Sequence, residues 1–193
     1  MTRRPRTPSP HSWRTLSKKT ILDHGKFLVV EDHAIELPGG RKINNWPWII
    51  TPDFVNVVAL TKADRFLCFR QTKYALSGLS LSIVGGFIEK GEHPLPAARR
   101  ELLEETGHAA SSWVRLGSYR VDPNRGVAMG HLFLARGARR VAEPASDDLE
   151  EQRLLHLNRR QLEAALTGGR FKVLAWAAAA ALALRYLSRQ KRR

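Results

Sequence analysis

The segment Gly85 to His108, GGFIEKGEHPLPAARRELLEETGH, constrains the fold more than any other part of the chain. Pro94 and Pro96 suit the first turn of a helix, where an N–H group has no partner within the helix. Gly107 suits the left-handed position that ends a helix. Apolar residues four positions apart lie between these limits, so we predict a helix that packs one face on a core and ends at Gly107.

Three carboxylates crowd another face of this predicted helix. Glu101, Glu104 and Glu105 stand at positions i, i+3 and i+4, where like charges repel each other. A violated local rule is a reasonable pointer to function. Oxygen-only clusters of this kind suit hard cations such as Mg²⁺ or Mn²⁺. The alternative is a solvated acidic face with Arg99 and Arg100 as its partners.

Around the carboxylates, the spacing resembles the signature of the Nudix hydrolases at every polar and glycine position. The matching residues are Gly86, Glu92, Arg100, Glu101, Glu104, Glu105 and Gly107. His108 departs from the final apolar position of the signature, and we expect it to affect packing more than chemistry. The chain is identified as a member of this family. The resemblance implies an α+β fold, an α/β/α sandwich with a mixed central sheet between helices and a small N-terminal antiparallel sheet.

The resemblance also implies a reaction, the hydrolysis of a nucleoside diphosphate linked to another group, with the help of divalent metal ions. Glu101 and Glu105 correspond to the main metal-binding carboxylates, and Glu104 to a further or water-mediated ligand. The backbone carbonyl of Gly85 binds metal in several members. Arg100 would orient the glutamates, with Glu92 in a supporting role.

Outside the signature, the resemblance points to the ADP-ribose pyrophosphatase branch. In FRQTKYAL, Arg70 matches the first basic residue of a branch strand and Lys73 replaces the second. Pro123 follows His108 by 15 residues, a spacing that marks this branch. However, Ser82 to Gly86 stands where the branch has Glu-Leu-Pro-Ala-Gly, so an ADP-sugar or GDP-sugar remains an alternative to ADP-ribose.

The acidic stretch DDLEE falls where the branch carries a loop with a glutamate proposed as general base. The resemblance favours Glu151 for that role, with Glu150 beside it. If neither acts, Glu104 is the next candidate. The alternative is a solvated acidic loop.

The N-terminal strands, Thr20 to Ile50, resemble the small sheet through which enzymes of this branch form homodimers. Trp46 and Trp48 could stack on an adenine base. The alternative for either indole is hydrophobic packing within the sheet or a dimer interface.

Elsewhere, alternating and apolar runs bounded by turn residues predict strands. Two closing helices are predicted, over NRRQLEAAL and from Phe171 to about Leu187. The strands are predicted over KFLVVED, HAIELPGGRKI with its turn, WPWII, FVNVVALT, RFLCFRQ, LSLSIVGG, WVRLGSYRV and GHLFLARGA. Cys68, the single cysteine, lies in one of these runs and is predicted to be buried.

The formal charge of +14 is concentrated at the ends of the chain. Residues 1 to 19 carry six basic residues and residues 185 to 193 carry five, with no acidic residue in either. We predict basic, disordered tails at 1–19 and 188–193, an N-terminal sheet at 20–50 and a Nudix domain at 51–187. The tails leave open weak contacts with nucleic acid or anionic lipid. The alternative is a solubilising role.

Three functions follow from these observations. The favoured one is a metal-dependent pyrophosphatase acting on a small nucleotide sugar. The others are a Nudix enzyme acting on RNA 5′ ends or other nucleoside diphosphate derivatives, and a non-catalytic nucleotide sensor. The longest apolar run, Val173 to Leu184, is shorter than the roughly 20 residues of a membrane span, and no apolar segment follows the basic start, so a cytoplasmic protein is predicted.

Overall fold

A computed structural model describes residues 12–145 and 152–190 of the chain. These residues fall into two compact units. Unit 1 comprises the residues up to Pro52 together with Arg120–Ala128. Unit 2 comprises Asp53–Tyr119 and the residues from Met129 onwards.

Unit 1 is built on a three-stranded antiparallel sheet. Its strands are β1 (Arg14–Asp23), β2 (Val29–Glu36) and β3 (Lys42–Ile50), in the order β1-β2-β3. Residues 29–36 form one continuous strand, whereas the sequence predicted two. Strand β1 begins at Arg14, so residues 14–19 do not belong to a disordered tail as predicted.

Residues 120–128 complete unit 1 from a distant part of the chain. Their carbonyl groups accept hydrogen bonds from β3, one from the Ile49 N–H to Arg125 O at 2.9 Å and one from Trp46 Nε1 to Asn124 O at 2.6 Å. Gly126 has a φ of +71° and lies so close to the Trp48 ring that a Cβ would be 2.1 Å from it. Predicted as part of one uninterrupted domain at 51–187, this segment instead clusters with the N-terminal sheet.

Unit 2 is built on a mixed seven-stranded sheet. Its central pair is parallel, with β4 (Phe54–Thr61) against β9 (Val127–Arg140), and β4 also forms a hairpin with β5 (Phe66–Gln71). The main path of the sheet runs β10-β5-β4-β9-β7, with β6 on β5 and β8 on β9. The remaining strands are β6 (Ser80–Ser82), β7 (His108–Ala109), β8 (Ser112–Asp122) and β10 (Arg153–Leu157).

Helices cover both faces of this sheet. Helix α1 (Pro94–Thr106) packs through Ala98 and Leu102 against one face, and α2 (Arg159–Thr167) and α3 (Leu174–Gln190) pack against the other. The predicted mixed sheet between helices is confirmed, together with the additional three-stranded sheet. Helix α3 extends to Gln190, so residues 188–190 are helical and not part of a tail.

Burial explains the alternation of side chains along the central strands. In β4, Val55 and Val57 face α1 and Val58 faces the α3 side. Cys68 is fully buried as predicted, and burial raises the pKa of its thiol to about 12. Across residues 12–145 and 152–190, no helix is long and apolar enough to span a membrane.

Candidate active site

The largest cavity of unit 2 lies where α1 meets the turn that follows β6. It has a volume of about 720 Å³. Glu101, Glu104 and Glu105 form its acidic side, and Gly85 and Gly86 border them. The cavity therefore gathers the carboxylates and glycines that the sequence marked as candidates.

Local sequence fixes where α1 begins and ends. Pro94 opens the helix as predicted, after His93 in extended conformation. Gly107 closes it with a φ of +68°, and its N–H donates to Leu103 O at 2.7 Å. Because the helix buries Ala98 and Leu102, the neighbouring turn of glutamates is directed to the edge of the sheet, where Glu101 is only 9% exposed.

Arg100 is the centre of the hydrogen-bond network at this edge. Its Nη1 donates to Glu101 Oε1 at 2.7 Å and to Glu104 Oε2 at 3.0 Å. Its Nε and Nη2 donate to the two carboxylate oxygens of Glu92 at 3.2 and 3.0 Å, and Nη2 also donates to Phe87 O at 3.0 Å. One guanidinium thus connects three carboxylates and the backbone of the preceding loop.

The same contacts set the electrostatics. The hydrogen bonds from Arg100 lower the pKa of Glu92, although partial burial acts in the opposite direction. Conversely, hydrogen bonds to Glu92 first, and then to Glu101 and Glu104, raise the pKa of the Arg100 guanidinium. Arg100 therefore stays charged and offsets part of the repulsion among the glutamates.

Two glycines bring the backbone against the carboxylates. A Cβ on Gly86 would lie 2.3 Å from Glu101 Oε1, so only glycine allows this approach. The Gly85 N–H donates to Glu105 Oε2 at 3.2 Å. A Cβ on Gly85 would lie 2.4 Å from Val55 O. The turn is therefore packed between β4 and α1.

The donors of this cavity fit a hard divalent cation in their chemistry. They are carboxylate oxygens together with a backbone segment that carries the Gly85 carbonyl, the type of ligand that Mg²⁺ and Mn²⁺ prefer. Within the described part of the chain, no three acidic, histidine or cysteine side chains converge at metal-ligand spacing. Arg100 binds two of the glutamates instead, and Glu104 is 45% exposed in its side chain and has room to turn.

Comparison with known proteins agrees with this geometry. The NUDIX domain model matches residues 51–177. The chain belongs to the Nudix family. That membership makes it a hydrolase of pyrophosphate bonds, as its resemblance to the ADP-ribose pyrophosphatase branch implied.

Among the relatives of this Nudix hydrolase, an ADP-ribose pyrophosphatase of Bacillus subtilis (strain 168) is 29% identical over 153 residues, covering 79% of this chain and 80% of the relative. A methanol dehydrogenase activator of Bacillus methanolicus is 28% identical over 138 residues, covering 72% and 74%. A solved structure, described as an ADP compounds hydrolase, superposes with a TM-score of 0.80 at 20% identity, covering 97% of this chain and all of the other. This last likeness supports the fold.

The other predicted site residues of this Nudix hydrolase are distributed over both units. Lys73 lines the cavity with the glutamates, whereas Arg70, on β5, is not among its lining residues. Glu150 and Glu151 lie outside the described residues, so their proposed role as base remains a prediction. His108 is buried, and its Nδ1 lies 2.7 Å from Thr106 O, a packing position as expected.

Trp46 and Pro123 line a different cavity, of about 470 Å³, within unit 1. There His33 stacks on Trp48 with 5.1 Å between ring centroids, and Trp13 meets Trp46 edge-on at 5.4 Å. The Trp46 indole is thus packed and hydrogen-bonded within its own sheet. Stacking on an adenine base remains a prediction.

Several cavity residues were missed by the sequence reading. Val173, Ala175 and Trp176, at the start of α3, form an apolar part of the wall, and Asn56 of β4 also lines it. The residues of α3 carry no sequence signal for a site. Asn56 does, because it is the one amide in the apolar run FVNVVAL.

Proposed function

We propose that this Nudix hydrolase cleaves the pyrophosphate of a nucleotide sugar, with ADP-ribose as the first candidate, to AMP and a sugar phosphate. The observation that carries the proposal is the convergence of Glu101, Glu104, Glu105 and Gly85 on one cavity, connected by Arg100. The relative from Bacillus subtilis, matched over four fifths of its length, supports ADP-ribose as the substrate.

Glu101 and Glu105 would hold Mg²⁺ or Mn²⁺, together with Glu104 and the Gly85 carbonyl. When bound, the ion polarises a water nucleophile and offsets charge on the pyrophosphate oxygens. Arg100 keeps the glutamate side chains oriented through its hydrogen bonds. Glu104 must release its contact with Arg100 to join the ligands.

Proton transfer and substrate charge require further residues. We propose Glu151, or Glu150 next to it, as the base that removes a proton from the attacking water. Lys73 lines the cavity and supplies a positive charge within reach of a phosphate. Arg70 would have to act from outside the cavity wall, and Lys73 is the better supported of the two.

Unit 1 supports a proposal of self-association. All ten residues of β1 are exposed, and Leu16, Ile21 and Leu22 among them are apolar. An exposed apolar edge strand is a ready surface for pairing with a second copy. We propose a homodimer formed through this sheet, and light scattering coupled to size-exclusion chromatography measures its mass directly.

A substrate panel tests the proposed reaction. Purified protein is incubated with ADP-ribose, ADP-glucose, GDP-mannose and capped RNA in Mg²⁺, in Mn²⁺ and in chelator, and the products are identified. We expect AMP and ribose 5-phosphate from ADP-ribose, and no turnover in chelator. Turnover of capped RNA alone would refute the nucleotide-sugar assignment.

The basic termini provide a second test against the RNA alternative. Residues 1–11 and 191–193 lie outside the described structure and carry six basic side chains. Their removal leaves β1 and α3 whole, so kcat/KM for a nucleotide sugar should remain within about threefold. An RNA substrate would instead lose affinity and salt dependence, by roughly 0.7 of a log–log slope unit per lost phosphate contact.

A further inference from the structure

Asn56 is a buried amide with no evident structural role. It is 3% exposed, between Val55 and Val57, which are fully buried. Its side chain forms no hydrogen bond with any described residue, while the other side chains of β4 around it are apolar. Burying an amide without a hydrogen bond costs free energy, so a valine or leucine would stabilise this strand better.

The position of Asn56 explains what its amide can reach. Alternation along β4 directs it to the α3 side of the sheet, opposite to Val55 and Val57. It lines the same cavity as the glutamates. Its Oδ1 lies 2.6 Å from where a Gly85 Cβ would be, so the amide packs directly against the turn that borders the carboxylates.

The surroundings of Asn56 differ in character from the acidic side of the cavity. Val173, Ala175 and Trp176, from the start of α3, supply apolar and aromatic surface there. A mostly apolar wall with one well-placed polar group is the usual composition of a small-molecule subsite. A carboxamide offers both donors and an acceptor, which matches a sugar hydroxyl, whereas a phosphate oxygen uses donors only.

We propose that Asn56 is a specificity-determining residue that hydrogen-bonds the hydroxyl groups of the sugar attached to the pyrophosphate. Trp176 and Val173 pack against the same sugar. This inference rests on the proposed function, because it assigns the α3 side of the cavity to the half of the substrate that leaves as a sugar phosphate. It also explains why an amide interrupts a strand of buried apolar residues.

The variant Asn56→Leu tests the inference, because it keeps the size of the side chain and removes the polar atoms. Two substrates are compared: ADP-ribose, and the methyl ester of ADP, which has the same pyrophosphate and no sugar beyond it. We expect kcat/KM for ADP-ribose to fall about tenfold, the value of roughly one hydrogen bond. The methyl ester should react within threefold of the wild-type rate.

Thermal stability separates this role from a structural one. Since the amide has no partner in the fold, Asn56→Leu should melt at or above the wild-type temperature. Asn44→Leu, the same exchange at an exposed position of β3, serves as the matched control and should leave both substrates unaffected. A lower melting temperature with equal losses on both substrates would show that Asn56 is structural, and unchanged rates on both would equally overturn the inference.

Binding of ribose 5-phosphate, measured by calorimetry, keeps the inference distinct from the proposed reaction. If the wild type hydrolyses neither compound, the proposed function fails, and the sugar site is judged by binding alone. A roughly tenfold weaker Kd in Asn56→Leu supports the site. Equal affinity in the two proteins, or no binding to the wild type, refutes it.

Discussion

Gly86→Ala is the most direct perturbation of the carboxylate geometry. The added Cβ would lie 2.3 Å from Glu101 Oε1 and 2.4 Å from the carboxyl carbon. Gly86 has no left-handed φ, so alanine is compatible with its backbone conformation. Its carbonyl accepts from the Val55 N–H at 2.9 Å, which attaches the turn to β4. We therefore expect the Glu101 side chain, and not the turn, to move.

The size of the effect follows from this geometry. The Glu101 carboxylate must retreat by roughly 1 Å to reach ordinary van der Waals contact. Arg100 Nη1 holds the same oxygen at 2.7 Å, so the displacement strains or breaks that bond. A misplacement of about 1 Å in a catalytic group costs on the order of 10²-fold in rate. Because a side-chain end absorbs the clash, stability should fall by only about 1–2 kcal/mol, or a few degrees in Tm.

The assay is steady-state hydrolysis of ADP-ribose at saturating Mg²⁺, with thermal melting of the same samples. Gly39→Ala is the matched control, since its Cβ would meet nothing within 4 Å and its φ is not left-handed. That variant should keep full activity and an unchanged or slightly higher Tm. Activity of Gly86→Ala within threefold of wild type would refute the reasoning, and so would loss of the folded state, which would mean that the backbone yields first.

Three further predictions concern the remaining carboxylates. Glu105→Gln should keep the hydrogen bond from the Gly85 N–H and its fold, yet lose two or more decades in kcat; near-full activity at saturating Mg²⁺ would contradict the metal assignment. Glu92→Gln should lower Tm by a few degrees at pH 7. Because Arg100 lowers the folded pKa of Glu92, that stabilisation exists above its unfolded pKa of about 4.3 and disappears as pH falls through the lower folded value, so melting curves of the two proteins should converge below about pH 4. Of Glu150→Gln and Glu151→Gln, we expect the second to lose more activity, and wild-type rates in both would move the base elsewhere.

Helix α1 was predictable because its signals are local. Pro94 and Gly107 mark its ends, and a short stretch of sequence contains both the apolar face and the three glutamates. The Nudix spacing needs no knowledge of distant partners. The same holds for the buried position of Cys68, since an apolar run of this length has few alternatives in a folded domain.

Strand β1 could not be predicted in this way. Its sequence, RTLSKKTILD, is exposed at every position and carries much of the N-terminal charge, so no buried face produces a periodic pattern. It becomes a strand by pairing with β2, from Arg14 opposite Glu36 to Asp23 opposite Val29. Such pairing is a property of the partner as much as of the strand itself.

The cavity wall illustrates the same limit. Lys73 was expected near the substrate from its place after β5, but nothing in the sequence near Val173 or Trp176 indicates that α3 begins beside the glutamates. Their proximity depends on the path of the sheet. The carboxylates were therefore foreseen, and the apolar side of the site was not.

The inserted segment Arg120–Ala128 has a consequence for how the chain comes together during synthesis. The Trp46 indole waits for a carbonyl that lies 78 residues further along, which at ribosomal speeds is a delay of roughly 4 to 16 s. Strand β4 waits for β9 over a similar interval, since Phe54 pairs with Gly130. The emergence of residues 120–138 thus completes both units almost simultaneously, and no single cut in the chain releases either one intact.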